Sequence, residues 1–110
     1  MSLILSKVSG LEGQVELVGL RAVVATFLRW SIERRGESRS VDPSWTLRGV
    51  FSYQKDSILT NPAMTKRIKI KFPNGGWYEC VLDYGVSIKI EGDRITVEGV
   101  KLWPVGQSPK

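Results

Sequence analysis

Between Lys66 and Leu82 the chain reads Lys-Arg-Ile-Lys-Ile-Lys-Phe-Pro-Asn-Gly-Gly-Trp-Tyr-Glu-Cys-Val-Leu. Strand side chains point alternately to opposite faces, so two alternating runs around Pro73-Asn74-Gly75-Gly76 predict a β-hairpin with one buried face. The loop length sets the register. A two-residue Asn74-Gly75 loop would place the Glu79 carboxylate opposite Ile70 on the apolar face. A three-residue loop, Asn74-Gly75-Gly76 with Gly76 in the left-handed position, places Phe72 opposite Tyr78, Ile70 opposite Cys80 and Ile68 opposite Leu82. The second register is the one predicted. The other face then carries Arg67, Lys69 and Lys71 beside Trp77, Glu79 and Val81.

Upstream, residues 14 to 36 contain no proline and are rich in Leu, Ala, Val and Arg. At 100° per residue Leu17, Leu20, Val23, Val24, Phe27, Leu28 and Trp30 fall on one broad face, which predicts a helix covering the sheet. Its reverse side is a strip of small residues, Gly19, Ala22, Ala25 and Thr26, next to Val15 and Val18. Either another layer of the domain covers that strip or it is a surface for self-association. Arg34 and Arg35 would then complement the dipole at the helix C-terminus. Residues 1–13 form an N-terminal arm or a short strand before it.

Downstream, residues 45 to 53 alternate, with Trp45, Leu47, Phe51 and Tyr53 on one side and Thr46, Arg48, Val50 and Ser52 on the other. A long connection over residues 54–65 carries Ile58, Leu59 and Met64, which suggests that it folds over the sheet edge or a partner. Gly92-Asp93 reads as a two-residue hairpin loop joining a strand that ends at Glu91 to one that begins at Arg94, with Ile90 facing Ile95 and Ile88 facing Val97. A change of apolar phase at Gly99 predicts a bulge. The sheet spans 45–103, and residues 104–110 form a loose tail. The expected fold is therefore α+β: one single domain over residues 1–110, with an N-terminal helix packed on a five-stranded, mostly antiparallel meander, either an open sheet or a small curved barrel.

Two family resemblances bear on this order. Arg35 and Arg39 match the RxxxR half of PilZ cyclic-dinucleotide-binding domains, to which that stretch is similar. The DxSxxG half is absent, since Asp83 is followed by Tyr84-Gly85-Val86-Ser87, so no such site is carried over. One helix before five strands also resembles the order of Sm-like RNA-binding barrels, over about 60 residues and in order alone.

Composition narrows the chemistry. The chain has no histidine, which removes the commonest zinc ligand, the commonest general base and every imidazole-dependent triad. No carboxylate pair is compelled to share a pocket, and no glycine-rich phosphate loop precedes the helix. A non-enzymatic protein without a cofactor or metal is expected. The single cysteine, Cys80, has no internal disulfide partner, which suits a reducing compartment. With no signal-like N-terminus and no long apolar run, a cytoplasmic location without a membrane span is expected.

The net charge of +5 is concentrated: residues 46–71 hold six Lys/Arg against one Asp/Glu. Arg48, Arg67, Lys69 and Lys71, with Trp77 as an aromatic, would form a basic sheet face, residues 67 to 71 spanning roughly 13 Å. Cations at that spacing suit a phosphate backbone, and a tryptophan can stack a base, so nucleic acid is the favoured partner and a single strand the favoured form. The alternative is a small structural or adaptor protein that forms a homo-oligomer through Gly19, Ala22, Ala25 and Thr26 and through the apolar 54–65 loop.

Overall fold

The computed structural model describes residues 3–20, 22–36, 44–61, 63–82 and 86–107, and among these the chain is nearly all sheet. In chain order the strands are β1 (Leu3–Gly10), β2 (Gly13–Leu17), β3 (Val23–Gly36), β4 (Trp45–Gln54), β5 (Lys66–Lys71), β6 (Trp77–Leu82), β7 (Ser87–Glu91), β8 (Arg94–Val100) and β9 (Trp103–Pro104). Among the described residues the one helix is α1, the four residues Asp56–Leu59. Every pairing is antiparallel, in the order β7-β8-β4-β3-β2-β5-β6-β9, with β1 beside β3. The sheet curls into a half-barrel around its own core. Its radius of gyration of 13.5 Å matches the roughly 13 Å of a compact single domain of this length.

The helix predicted over residues 14–36 does not form, and the α+β arrangement falls with it. That segment is β2, a turn and the 14-residue β3. The likeness to the helix-first order of Sm-like barrels falls too. The physical reason is visible in the register. On β3 the pairing with β4 shifts between Thr26 and Phe27 and again between Phe27 and Arg29, so Phe27 and Trp30, three residues apart, both point inward. A second irregularity opposite Val15 and Glu16 leaves Val24 and Ala25 both buried. Two bulges in one strand thus imitate helical spacing. Arg34 caps no helix; its guanidinium lies over the Trp45 ring, 5.6 Å from the centroid. Arg39 lies outside the described residues.

β1 and β2 are two halves of one bent strand. Both lie against β3, β1 pairing with its C-terminal half and β2 with its N-terminal half. At Leu11-Glu12 the chain turns so that β2 can also pair with β5. The bend is held by the Trp30 indole N–H, which donates to the Glu12 carbonyl at 2.8 Å, and by the Lys71 N–H, which donates to the same carbonyl at 3.0 Å.

The central hairpin forms with a shifted register. Ile70 faces Tyr78 and Ile68 faces Cys80, so the loop is Pro73-Asn74-Gly75, closed by Phe72 N–H to the Gly76 carbonyl at 2.8 Å. Gly75, not Gly76, takes the positive φ of 91°. Proline fits the first loop position and the Asn74 side chain accepts from the Gly76 N–H at 2.8 Å, which together fix the turn one residue earlier. Because the register moves by two residues, an even number, the faces are unchanged.

The β7–β8 hairpin has the predicted pairs, Ile90 with Ile95 and Ile88 with Val97. Gly99, at φ 78°, accompanies a register shift that leaves both Val97 and Val100 buried. In the 54–65 connection, Leu59 is buried in this chain's own core and Ile58 packs against it. The start of the predicted tail is sheet: β9 pairs with β6 through Tyr78–Pro104 and Glu79–Trp103. The core gathers the inward positions of every major strand, including Val15, Ile32, Leu47, Ile68, Ile70, Ile95 and Val97, with Phe27 stacked on Phe51 at 5.2 Å.

Candidate functional site

The outer face of β2, β5 and β6 holds the predicted basic stripe. Arg67, Lys69 and Lys71 alternate outward along β5, and Lys71 faces Trp77 directly. Each cation, however, meets a carboxylate. Arg67 Nε lies 3.4 Å from Glu79, Lys69 Nζ 3.4 Å from Glu16 and Lys71 Nζ 3.7 Å from Glu12. Gln14 donates to Glu16 within the same lattice. Glu16 and Glu79 are buried beneath their partners, which ties up Arg67 and Lys69. The Lys71–Glu12 pair is longer and both ends are accessible, so it exchanges readily for another anion.

Arg48 stands apart from that stripe, on β4, where the outer face of β1, β3, β4, β8 and β7 is hollowed into an open groove of about 740 Å³. The register arranges its side chains in two cross-strand rows. Ser9, Ser31, Arg48, Thr96 and Lys89 are successive neighbours across five strands. The next row runs Arg29, Val50, Arg94 and Glu91. Three guanidinium groups therefore surround Val50, with Arg29 and Arg94 about 10 Å apart across two strand spacings.

The charges in this groove are less committed than those on β5. Arg48 donates to Glu33 at 2.9 Å, and Lys89 lies 3.0 Å from Glu91. That neighbour raises the Lys89 pKa, so the amine stays charged well above neutral pH. Arg29 and Arg94 are exposed and make no ion pair among the described residues. Four cations against two carboxylates leave a net positive concavity.

Sequence reasoning singled out Arg48, and did not single out Arg29, Lys89 or Arg94, which the register places beside it. Lys89 and Arg94 were legible as outward positions of the Gly92-Asp93 hairpin. Their meeting with Arg48 depends on β8 pairing with β4, a long-range contact that no local pattern announces. Arg29 was hidden by the misread helix.

The residues proposed for self-association do not form one strip. Gly19 is in the turn between β2 and β3, Ala22 is exposed, Ala25 is fully buried, and Thr26 is half-buried with its hydroxyl 2.9 Å from that of Ser52. Among the described residues no group of acidic or thiol side chains is placed to hold a metal, and no helix is long and apolar enough to cross a membrane. Cys80 is buried, and burial pushes its thiol up to about 12. No protein-family model, curated protein or solved structure matches the chain.

Proposed function

We propose that this chain is a non-enzymatic nucleic-acid-binding module whose phosphate-contacting surface is the groove of Arg29, Arg48, Lys89 and Arg94. The reading is carried by one observation: Arg29 and Arg94, which make no ion pair among the described residues, flank Val50 across a concave, net-positive sheet surface. Guanidinium groups present forked donors to phosphate oxygens, and the hydroxyls of Ser9, Ser31 and Thr96 add neutral donors in the adjoining row. The groove holds no exposed aromatic, since Trp30 is buried with its N–H spent on Glu12. Contacts of this kind position a backbone and carry little sequence information. Arg67 and Lys69 contribute less than their sequence pattern suggests, because each already serves a buried carboxylate.

The test is fluorescence anisotropy with a labelled single-stranded oligonucleotide. Replacing Arg29 and Arg94 together by Ala removes two charge-assisted contacts and should weaken binding at least tenfold. Lys69→Glu should cost less than the same reversal at Arg94. Unchanged affinity in the double alanine variant would remove the groove from the account.

A further inference from the structure

Two of the chain's four tryptophans stand on the outer face at the far end of the sheet. Trp77 is 39 % exposed and Trp103 is 37 % exposed, whereas Trp30 is buried. The β6–β9 register explains why they meet. Trp103 lies opposite Glu79, and the Val105 N–H bonds to the Trp77 carbonyl at 3.1 Å, which continues the same register. Trp77 and Trp103 are therefore diagonal neighbours on one face, a separation of about 7–8 Å that large rings bridge. Val105, 41 % exposed, extends the apolar surface beside them. Trp103 stands beside Glu79 on this face, and the Glu79 carboxylate accepts from the Gly106 N–H at 3.3 Å, which helps to anchor the short β9.

Folding alone does not require this arrangement. The β6–β9 backbone pairing leaves two indoles open to solvent together. Cations lie on one side of them. Lys71 faces Trp77 across β5–β6, and its backbone borders Gly10 and Glu12 at the end of the groove. Following the sheet from Arg94 to Arg29, then Lys71, then Trp77 crosses five strand spacings, about 24 Å. Successive cations on this path are about 10 Å apart.

The geometry points to Trp77 and Trp103 as a stacking platform for the unpaired bases of a single strand whose backbone lies along Arg94, Arg29 and Lys71. This rests on the groove reading and names what it takes: single-stranded rather than duplex nucleic acid. A duplex keeps its bases stacked inside and has no face to offer the indoles, while every unpaired base has one. Stacking is tolerant of base identity, so the platform adds affinity and strand-state selectivity with little sequence preference.

The test separates the platform from the groove by using two probes, a single-stranded oligothymidylate and inorganic polyphosphate, with tryptophan fluorescence and competition anisotropy as readouts. The platform predicts quenching by the oligonucleotide and none by polyphosphate. Trp77→Leu with Trp103→Leu should weaken oligonucleotide binding about fivefold or more and leave polyphosphate binding unchanged. Trp77→Phe with Trp103→Phe, which keeps a ring at each position, should recover most of the loss. Full-strength oligonucleotide binding by the leucine variant overturns the platform, as does equal quenching by both probes, and in either case the groove stands. Failure of the wild-type chain to bind either probe overturns the groove and the platform together.

Discussion

Cys80 shows how burial alone sets chemistry at a single position. Its side chain is 2 % exposed between Ile68 and the core, and desolvation, with Glu79 adding a smaller push in the same direction, moves the thiol to about 12. The native thiol should therefore resist iodoacetamide at pH 8.5 and react only on unfolding, which mass spectrometry would report. The folded pKa of this thiol lies above its unfolded value. The native state holds the proton more tightly, so this contribution is complete below pH 9 and is lost as pH rises toward 12. Stability measured in urea across that range should fall more steeply for the wild type than for Cys80→Ala. Lys66 is the second buried ionisable group of note. Its ammonium donates to the carbonyls of Asn61 and Met64, both at 2.8 Å, and burial lowers its pKa. Lys66→Met keeps most of the stem but strands both carbonyls, and should cost about 1–3 kcal/mol of unfolding free energy measured in urea.

Elements were legible wherever one alternating run met one turn, and illegible wherever a bulge broke the alternation. The hairpins at 66–82 and 87–98 show local patterns doing their work: faces and partners follow from the turn residues and period-2 spacing. The first of these still slipped, because Asn-Gly-Gly offers two glycines and only the Pro73-Asn74 geometry decides which one turns left-handed. That difference is testable. Gly75→Ala should cost about 1–2 kcal/mol, as expected for a side chain forced into the left-handed region, and Gly76→Ala should cost less. In β3, by contrast, the inward set Val24, Ala25, Phe27, Trp30 and Ile32 has spacings of one, two, three and two, which no single period describes. β-branched and aromatic residues along 23–32 were the signal for a strand, and the apolar breadth that looked like a greasy helix was the mark of a bulged one. The same bulge region demands a gap at Gly49, where an added Cβ would collide with the Phe27 ring. Gly49→Ala should therefore destabilise by about 1–3 kcal/mol through overpacking.

At the scale of the whole molecule, net charge alone does not locate a binding surface. The basic quarter of the sequence folds mostly into a lattice where Glu12, Glu16 and Glu79 answer Lys71, Lys69 and Arg67. The cations left available come from three separate strands, β3, β4 and β8, with Lys89 from the edge strand β7. Pairing β8 with β4 is what gathers them, and that long-range contact was the part of the candidate site the sequence concealed. The groove and the tryptophan pair both lie on the outer face of the same sheet. The most direct test of this account is the salt dependence of single-stranded oligonucleotide binding to the intact chain between 50 and 200 mM salt. If the four groove cations meet phosphates, counterion release predicts a log–log slope near −2.8, a loss of about 50-fold across that range. Binding whose affinity does not change with salt, or no binding at 50 mM, would contradict it.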